Sequence, residues 1–211
     1  MAAYKRRRLN QNFALACVAL VLLAANITVL LLRREAPLPA AGVALPDYVE
    51  EAYLPVNPYS RPGEPLKKIS AVVIHYVGNP ATSARANRNY FAGLAQSGET
   101  YASSHFIVGL EGEVMACVPM TEVAYASNTR NEDTIAIEVC HEDETGEFSA
   151  VTYEKVVELT AWLCGEFGLD AETDVIRHYD VSGKLCPKYY VENAAAWEQL
   201  KADAAAAMGE P

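Results

Sequence analysis

Continuous and alternating runs of apolar residues predict the best-defined elements of the chain. The apolar run at residues 70–75 predicts a buried strand. Residues 134–140 alternate, so their larger apolar side chains face one side of a strand and Glu138 faces the other. Residues 151–167 carry an apolar stripe at helical spacing, and Gly168 is placed to end that helix.

Weaker patterns between these elements complete the prediction of the fold. They are a helix that begins at residues 82–83, a hairpin of residues 101–108 and 113–118, a short strand at 174–178 and a last helix at 190–208. Strands and helices interleave and no repeat is present. The pattern therefore predicts an α/β (α+β) domain at residues 67–205, with a single mixed β-sheet flanked by helices.

The first 66 residues differ in character from this domain. Residues 13–32 hold no ionisable side chain and would span roughly 30 Å as a helix, which predicts one transmembrane helix. The basic residues at 5–8 outnumber those at 33–34, so residues 1–12 are expected in the cytoplasm and the domain outside. A cleaved signal peptide is the alternative. Residues 33–66 are rich in proline and predict an extended linker.

Charge limits the possible partners of the external part. Six of the 17 basic residues and none of the 27 acidic residues precede residue 35, so the remainder has a formal charge of 11 − 27 = −16. Nucleic acid is therefore excluded as an expected partner. Cys117, Cys140, Cys164 and Cys186 lie outside the apolar segment and lack the short spacings of a disulfide scaffold.

Two histidines and one cysteine form a candidate metal site. His75 and His178 end predicted strands, and Cys186 follows His178 by eight residues across a loop that contains Gly183. Two imidazoles and a thiolate on zinc leave one tetrahedral position open for water, as in catalytic sites. Spacing alone leaves a structural role for the histidines open. Asn79, Asn128 and Asn131 lie in predicted loops, where they fit either contact with a bound substrate or turn formation.

Four stretches of sequence resemble one enzyme family, in order and in spacing. They are VVIHYVGNP, YASSHFIVGLEGEV, AYASNTRNEDTIAIEVCH and VIRHYDVSGKLCPKYY. They are similar to the zinc-dependent N-acetylmuramoyl-L-alanine amidases, which include small phage lysins and peptidoglycan recognition proteins. The resemblance covers roughly residues 55–200. Its most specific part is the last loop, where a ligand histidine precedes a lysine and then a third ligand before proline.

The resemblance implies a role for five residues. His75, His178 and Cys186 would hold zinc, Glu138 would be the catalytic carboxylate, and Lys184 would point into the site. Some phage members have a tyrosine where this chain has Ser104, so that tyrosine's role is not transferred. The third ligand is an aspartate in part of the family, and Cys186 is a softer ligand that also suits zinc.

The activity that the resemblance implies is hydrolysis of the amide between N-acetylmuramic acid and L-alanine in peptidoglycan. The transmembrane helix predicted at residues 13–32 would anchor the enzyme in the cell membrane, and we expect a monomer. Two alternatives stay open. One is a peptidoglycan-binding receptor or regulator without catalysis, although such relatives usually lose the third ligand. The other is a zinc amidohydrolase that cuts elsewhere on the stem peptide. The sequence leaves open the preferred stem peptide, the physiological role and any regulatory partner.

Overall fold

The computed structural model describes residues 39–209. The predicted cytoplasmic segment, the predicted transmembrane helix at 13–32 and the first linker residues lie outside this range. Within residues 39–209, none of the helices is both long enough and apolar enough to cross a membrane. The transmembrane helix therefore stays a prediction from the sequence.

Six strands form one mixed sheet in the order β1-β4-β3-β5-β2-β6. The strands are β1 (Val49–Glu51), β2 (Ala71–Tyr76), β3 (Phe106–Val108), β4 (Val114–Ala116), β5 (Thr134–Val139) and β6 (Val175–Arg177). β3 and β4 pair antiparallel as the predicted hairpin, and every other neighbouring pair is parallel. The predicted single mixed sheet flanked by helices is confirmed.

Five α-helices accompany the sheet within residues 39–209, and their ends follow from local capping. They are α1 (Ala84–Ser97), α2 (Ala150–Phe167), α3 (His178–Ser182), α4 (Lys188–Glu192) and α5 (Ala194–Ala207). The side chain of Ser149 accepts a hydrogen bond from the first turn of α2, and Gly168 ends that helix with φ of 63°. The predicted last helix is in fact two helices, because the backbone of Asn193 is not helical and separates α4 from α5.

The two faces of the sheet bury different sets of side chains. Ile135, Ile137 and Val139 of β5 join the larger cluster, which also contains Leu163 of α2 and Leu200 of α5. The smaller cluster lies on the other face and contains Ile107 of β3, Cys140, and Phe91 and Leu94 of α1. The alternation predicted for this strand is therefore present, and Glu138 lies on the face that α1 covers.

The prediction of an extended linker at residues 33–66 was wrong for its second half. β1 pairs with β4 at the edge of the sheet, and Leu54 and Leu66 are completely buried. The backbone N–H of Leu54 donates to Cys117 O at 2.9 Å, and that of Leu66 donates to Thr121 O at 2.8 Å. Prolines and single buried leucines give no periodic pattern, so the sequence did not reveal a segment that packs on the domain.

Candidate metal centre in an open cleft

Parallel strand pairing brings the predicted site residues to one edge of the sheet. His75 is the fifth residue of β2 and lies in register with Glu138 of β5. On the other side of β2, Ile74 pairs with Arg177, the last residue of β6, and His178 follows directly as the first residue of α3. Because these strands run in the same direction, residues near their carboxyl ends meet.

The third member of the cluster returns to the histidines through a short turn. Gly183 ends α3 in the left-handed conformation, with φ of 75°, a geometry that glycine adopts without steric cost. The backbone N–H of Tyr179 then donates to Cys186 O at 2.8 Å, which holds the returning chain beside the start of α3.

The three candidate ligand atoms face one another. Nδ1 of His75 lies 3.1 Å from Nδ1 of His178 and 3.9 Å from Sγ of Cys186. All three atoms lie within 4.8 Å of one another, and all three side chains are buried. Tetrahedral zinc with bonds of about 2.0–2.3 Å holds its ligand atoms roughly 3.3–3.8 Å apart, so the distances of 3.1 and 3.9 Å from Nδ1 of His75 are close to those that this ion requires.

The outer nitrogens of both histidines have oxygen partners. Nε2 of His178 lies 2.6 Å from Oδ1 of Asn128, and Nε2 of His75 lies 3.1 Å from Oγ of Ser127. When Nε2 of His178 donates to this oxygen, its Nδ1 is left with a lone pair directed at the cluster. This is the arrangement in which ligand histidines are held in metal sites.

Burial also sets the charge of the cluster. Burial holds the pKa of His75 well below its ordinary value and lowers that of His178, so both rings are neutral, as metal ligation requires. Burial raises the pKa of the Cys186 thiol to about 12. A thiolate at this position therefore requires a cation beside it, and the three residues fit a bound zinc ion.

Glu138 lies next to the cluster. Its Oε1 is 4.0 Å from Nδ1 of His75, and its side chain is 17% exposed. Within the described part of the chain, its Oε2 has no hydrogen-bond partner. Burial raises the pKa of this carboxyl group to about 8, against an opposing effect of Lys184. A carboxyl group with a pKa near neutrality suits proton transfer at physiological pH.

The cluster opens into a cleft of about 540 Å³. His75, Glu138, His178 and Lys184 line it, whereas Cys186 lies behind them and is buried. Lys184 is the sole lysine or arginine in the lining formed by residues 39–209. The structure thus brings the five predicted residues together, and their roles stay predictions.

The sequence did not single out Ser127 as a site residue, and it gave Asn128 no specific role. Ser127 directly precedes the 3₁₀-helix Asn128–Arg130, and Asn128 is the first residue of that helix. Asn128 has φ of 51°, which is uncommon for a residue with a side chain, although asparagine tolerates it better than most. No spacing rule connects this turn to His178, because the contact joins residues 50 positions apart.

The fold and the cluster define an α/β domain with a candidate metal centre at the carboxyl ends of its strands. The family model described as N-acetylmuramoyl-L-alanine amidase matches residues 65–189, which is more than half of the chain. The chain belongs to this family.

Individual relatives agree with that assignment. Over 170 residues the chain is 33% identical to the N-acetylmuramoyl-L-alanine amidase BlyA of Bacillus subtilis (strain 168), a match that covers 71% of this chain and 45% of BlyA. The chain thus spans less than half the length of this curated relative. A mutant endolysin from Bacillus subtilis has the same fold, with a TM-score of 0.62, 24% identity and coverage of 76% of this chain and 98% of the endolysin. The hydrolase AmiA of Staphylococcus aureus also shares the fold, with a TM-score of 0.58, 19% identity and coverage of 79% and 85%.

Proposed function

We propose that this protein is a zinc-dependent N-acetylmuramoyl-L-alanine amidase, which hydrolyses the amide between N-acetylmuramic acid and the L-alanine of the peptidoglycan stem peptide. The observation that carries the proposal is the juxtaposition of Nδ1 of His75, Nδ1 of His178 and Sγ of Cys186 beside the carboxyl group of Glu138. Membership of the amidase family supports the choice of bond.

His75, His178 and Cys186 would hold the zinc. When bound there, zinc supplies Lewis acidity, which lowers the pKa of a water molecule and polarises the scissile carbonyl. Glu138 accepts a proton as the water oxygen attacks the carbonyl carbon, and it then delivers that proton to the alanine nitrogen as the C–N bond breaks. The ammonium group of Lys184 offsets the negative charge that develops on the carbonyl oxygen. The products are a lactyl carboxylate on the sugar and a free alanine amine.

A receptor that binds peptidoglycan without cutting it is the competing function. A binding site has no need for an open-sided set of metal ligands with a buried carboxyl group, free of hydrogen-bond partners at Oε2 within residues 39–209, beside it. The presence of His75, His178, Glu138 and Lys184 in the lining of one cleft, with Cys186 buried next to the two histidines, therefore favours hydrolysis.

Two measurements on the purified full chain test the proposal. Elemental analysis is expected to give one zinc per chain, and purified peptidoglycan is expected to gain new amino termini at L-alanine in a reaction that a chelator stops. The variant Cys186→Ser is expected to bind zinc more weakly and to lose activity together with the metal. Zinc binding without any cleavage would support the receptor instead. New amino termini at another residue would indicate a zinc hydrolase that cuts elsewhere on the stem peptide.

We also propose, from the sequence of residues 13–32, that one helix anchors the chain in the cell membrane with the amidase domain outside. A tether of this kind would keep an acidic domain near the wall. Retention of the chain in membranes washed with alkaline carbonate is the expected result, and its complete release would contradict the anchor. The monomeric state stays a prediction.

A further inference from the structure

Three tyrosine rings, those of Tyr59, Tyr101 and Tyr125, contact one another beside the cleft and form what we call the tyrosine ridge. The ring centroids of Tyr59 and Tyr101 are 5.3 Å apart, and the ring of Tyr125 meets that of Tyr101 edge-on at 5.6 Å. Tyr101, in the middle, is 62% exposed. An aromatic ring that is both exposed and fixed by neighbouring rings offers a flat apolar face to a ligand at low entropic cost.

Two neighbouring cavities share residues of the tyrosine ridge in their linings. Tyr101 and Tyr125 line the cleft that contains the metal cluster, and they also line a second groove of about 550 Å³. The rest of the second groove comes from the segment before the matched family region, namely Val56, Asn57, Pro58, Pro62 and Glu64. None of the five predicted site residues lines the second groove, so this groove extends the cleft away from the candidate metal ligands and Glu138.

Hydrogen bonds and an ion pair hold the wall of the second groove in place. Oδ1 of Asn57 accepts the backbone N–H groups of Tyr59 at 2.9 Å and Ser60 at 3.0 Å. The guanidinium of Arg61 donates to both carboxylate oxygens of Glu122, at 2.8 and 2.7 Å, and to Leu54 O at 2.7 Å. A wall that is fixed before the ligand arrives reduces the entropic cost of binding.

The lining of the second groove favours an uncharged ligand with apolar faces. Its side chains are two tyrosine rings, two prolines, a valine, an amide and one carboxylate, that of Glu64. A stem peptide carries carboxylates that Glu64 would repel, whereas the sugar chain is neutral once its lactyl groups are amidated. The C–H faces of a sugar ring suit the exposed ring of Tyr101.

We propose that the second groove binds the glycan strand of peptidoglycan, at sugars adjoining the muramic acid whose amide is cut, with Tyr101 as the principal stacking residue. The proposal rests on the proposed amidase function, because that function places the scissile bond in the adjoining cleft. The groove then makes the enzyme select polymeric glycan over single muramoyl peptides.

The test measures binding to a tetrasaccharide of alternating N-acetylglucosamine and N-acetylmuramic acid with its lactyl groups converted to methyl amides and no stem peptide. The full chain is compared with Tyr101→Ala and with Tyr101→Phe, which keeps the ring. Loss of one stacking ring is expected to weaken binding by about five- to tenfold in Tyr101→Ala, and Tyr101→Phe is expected to bind within about twofold of the unaltered chain. With polymeric peptidoglycan, Tyr101→Ala is expected to raise KM by a similar factor and to change kcat by less than about twofold.

Each outcome separates the two proposals. Equal tetrasaccharide binding by the unaltered chain and Tyr101→Ala would overturn the glycan site. The same would follow if Tyr101→Ala weakened binding of a free stem peptide and left tetrasaccharide binding unaffected. The tetrasaccharide carries lactyl methyl amides in place of the muramoyl–L-alanine amide that the enzyme is proposed to cut. Binding that depends on Tyr101, in a chain that hydrolyses nothing, would therefore support the groove and contradict the amidase.

Discussion

Neighbouring residues of β5 enter two regions that differ in size and in polarity. Among residues 39–209, Ile135, Ile137 and Val139 join a cluster of 26 buried residues between the sheet and the helices α2 and α5. Glu138 alternates with them on the opposite face, where the buried cluster of the described residues has 10 members and where Glu138 lies beside the candidate metal ligand His75. Side chains at successive positions of a strand point to opposite faces of the sheet. Neighbouring residues of β5 therefore contribute to the apolar core on one face and to the candidate site on the other.

The difference has an energetic side. The larger cluster is apolar apart from the tips of a few side chains, and burial of this area is the main stabilising contribution to the fold. The opposite face of the sheet, which we call the site face, carries the buried pair His75 and His178. It also carries Oε2 of Glu138, which has no hydrogen-bond partner among residues 39–209. Such groups cost stability when no ligand is bound. The larger cluster therefore offsets the cost of a site prepared for a metal and a substrate.

The largest expected effect is on the site face, in the variant Glu138→Gln. An amide of the same shape cannot take a proton from the attacking water, so kcat is expected to fall by about 10³-fold, or roughly 4 kcal/mol in the barrier. Zinc content is expected to stay at one per chain, because Glu138 is not among the three candidate ligands. Elemental analysis and the alanine-release assay measure the two quantities on the same sample.

The control for this variant is Glu154→Gln, which changes an exposed glutamate on α2. It is expected to leave both zinc content and kcat unchanged. Full activity in Glu138→Gln would contradict the assignment of Glu138 as the proton-transfer group. It would also leave no catalytic residue of β5 on the site face.

The next effect is on the other face, in the variant Leu163→Ala. Leu163 is completely buried in the larger cluster, and its truncation is expected to destabilise the domain by about 3 kcal/mol. Denaturant unfolding measures this change. The activity of the folded fraction is expected to equal that of the unaltered chain, because Leu163 lies across the sheet from the cleft. A kcat that fell in proportion to stability would show that the two faces are coupled.

Much of the fold was predictable because the elements that form the larger cluster carry clear periodicity. The apolar run of β2, the alternation of β5 and the stripe of α2 are local patterns, and each corresponds to an observed element. The second half of residues 33–66 was predicted wrongly because its burial depends on pairing with a distant strand. β1 pairs with β4, which lies about 65 residues further along the chain, and no local pattern reports that contact.

The site divides in the same way. His75, Glu138 and His178 occur at recognisable positions in or directly after strands, so the sequence and the family resemblance could indicate them. Ser127 and Tyr101 lie in irregular segments, where residue type alone gives no sign of a role. Their positions follow from the packing of loops at the edge of the sheet, which is decided by long-range contacts.

The smallest of the three effects concerns Asn128, whose role, like that of Ser127, residue type alone did not reveal. Its Oδ1 lies 2.6 Å from Nε2 of His178, and its backbone has φ of 51°, a conformation that glycine adopts readily. Asn128→Gly therefore removes the hydrogen-bond partner of the histidine without straining the turn. Loss of such a partner is expected to weaken zinc binding by about 10- to 100-fold, or roughly 2 kcal/mol. Competition with a chromophoric chelator measures the dissociation constant. Asn128→Asp keeps an oxygen acceptor and is expected to bind zinc more tightly than Asn128→Gly. Equal zinc affinities in the unaltered chain, Asn128→Gly and Asn128→Asp would mean that the hydrogen bond between Asn128 and His178 does not affect zinc binding. The site face would then, like the larger cluster, be held in place by packing alone.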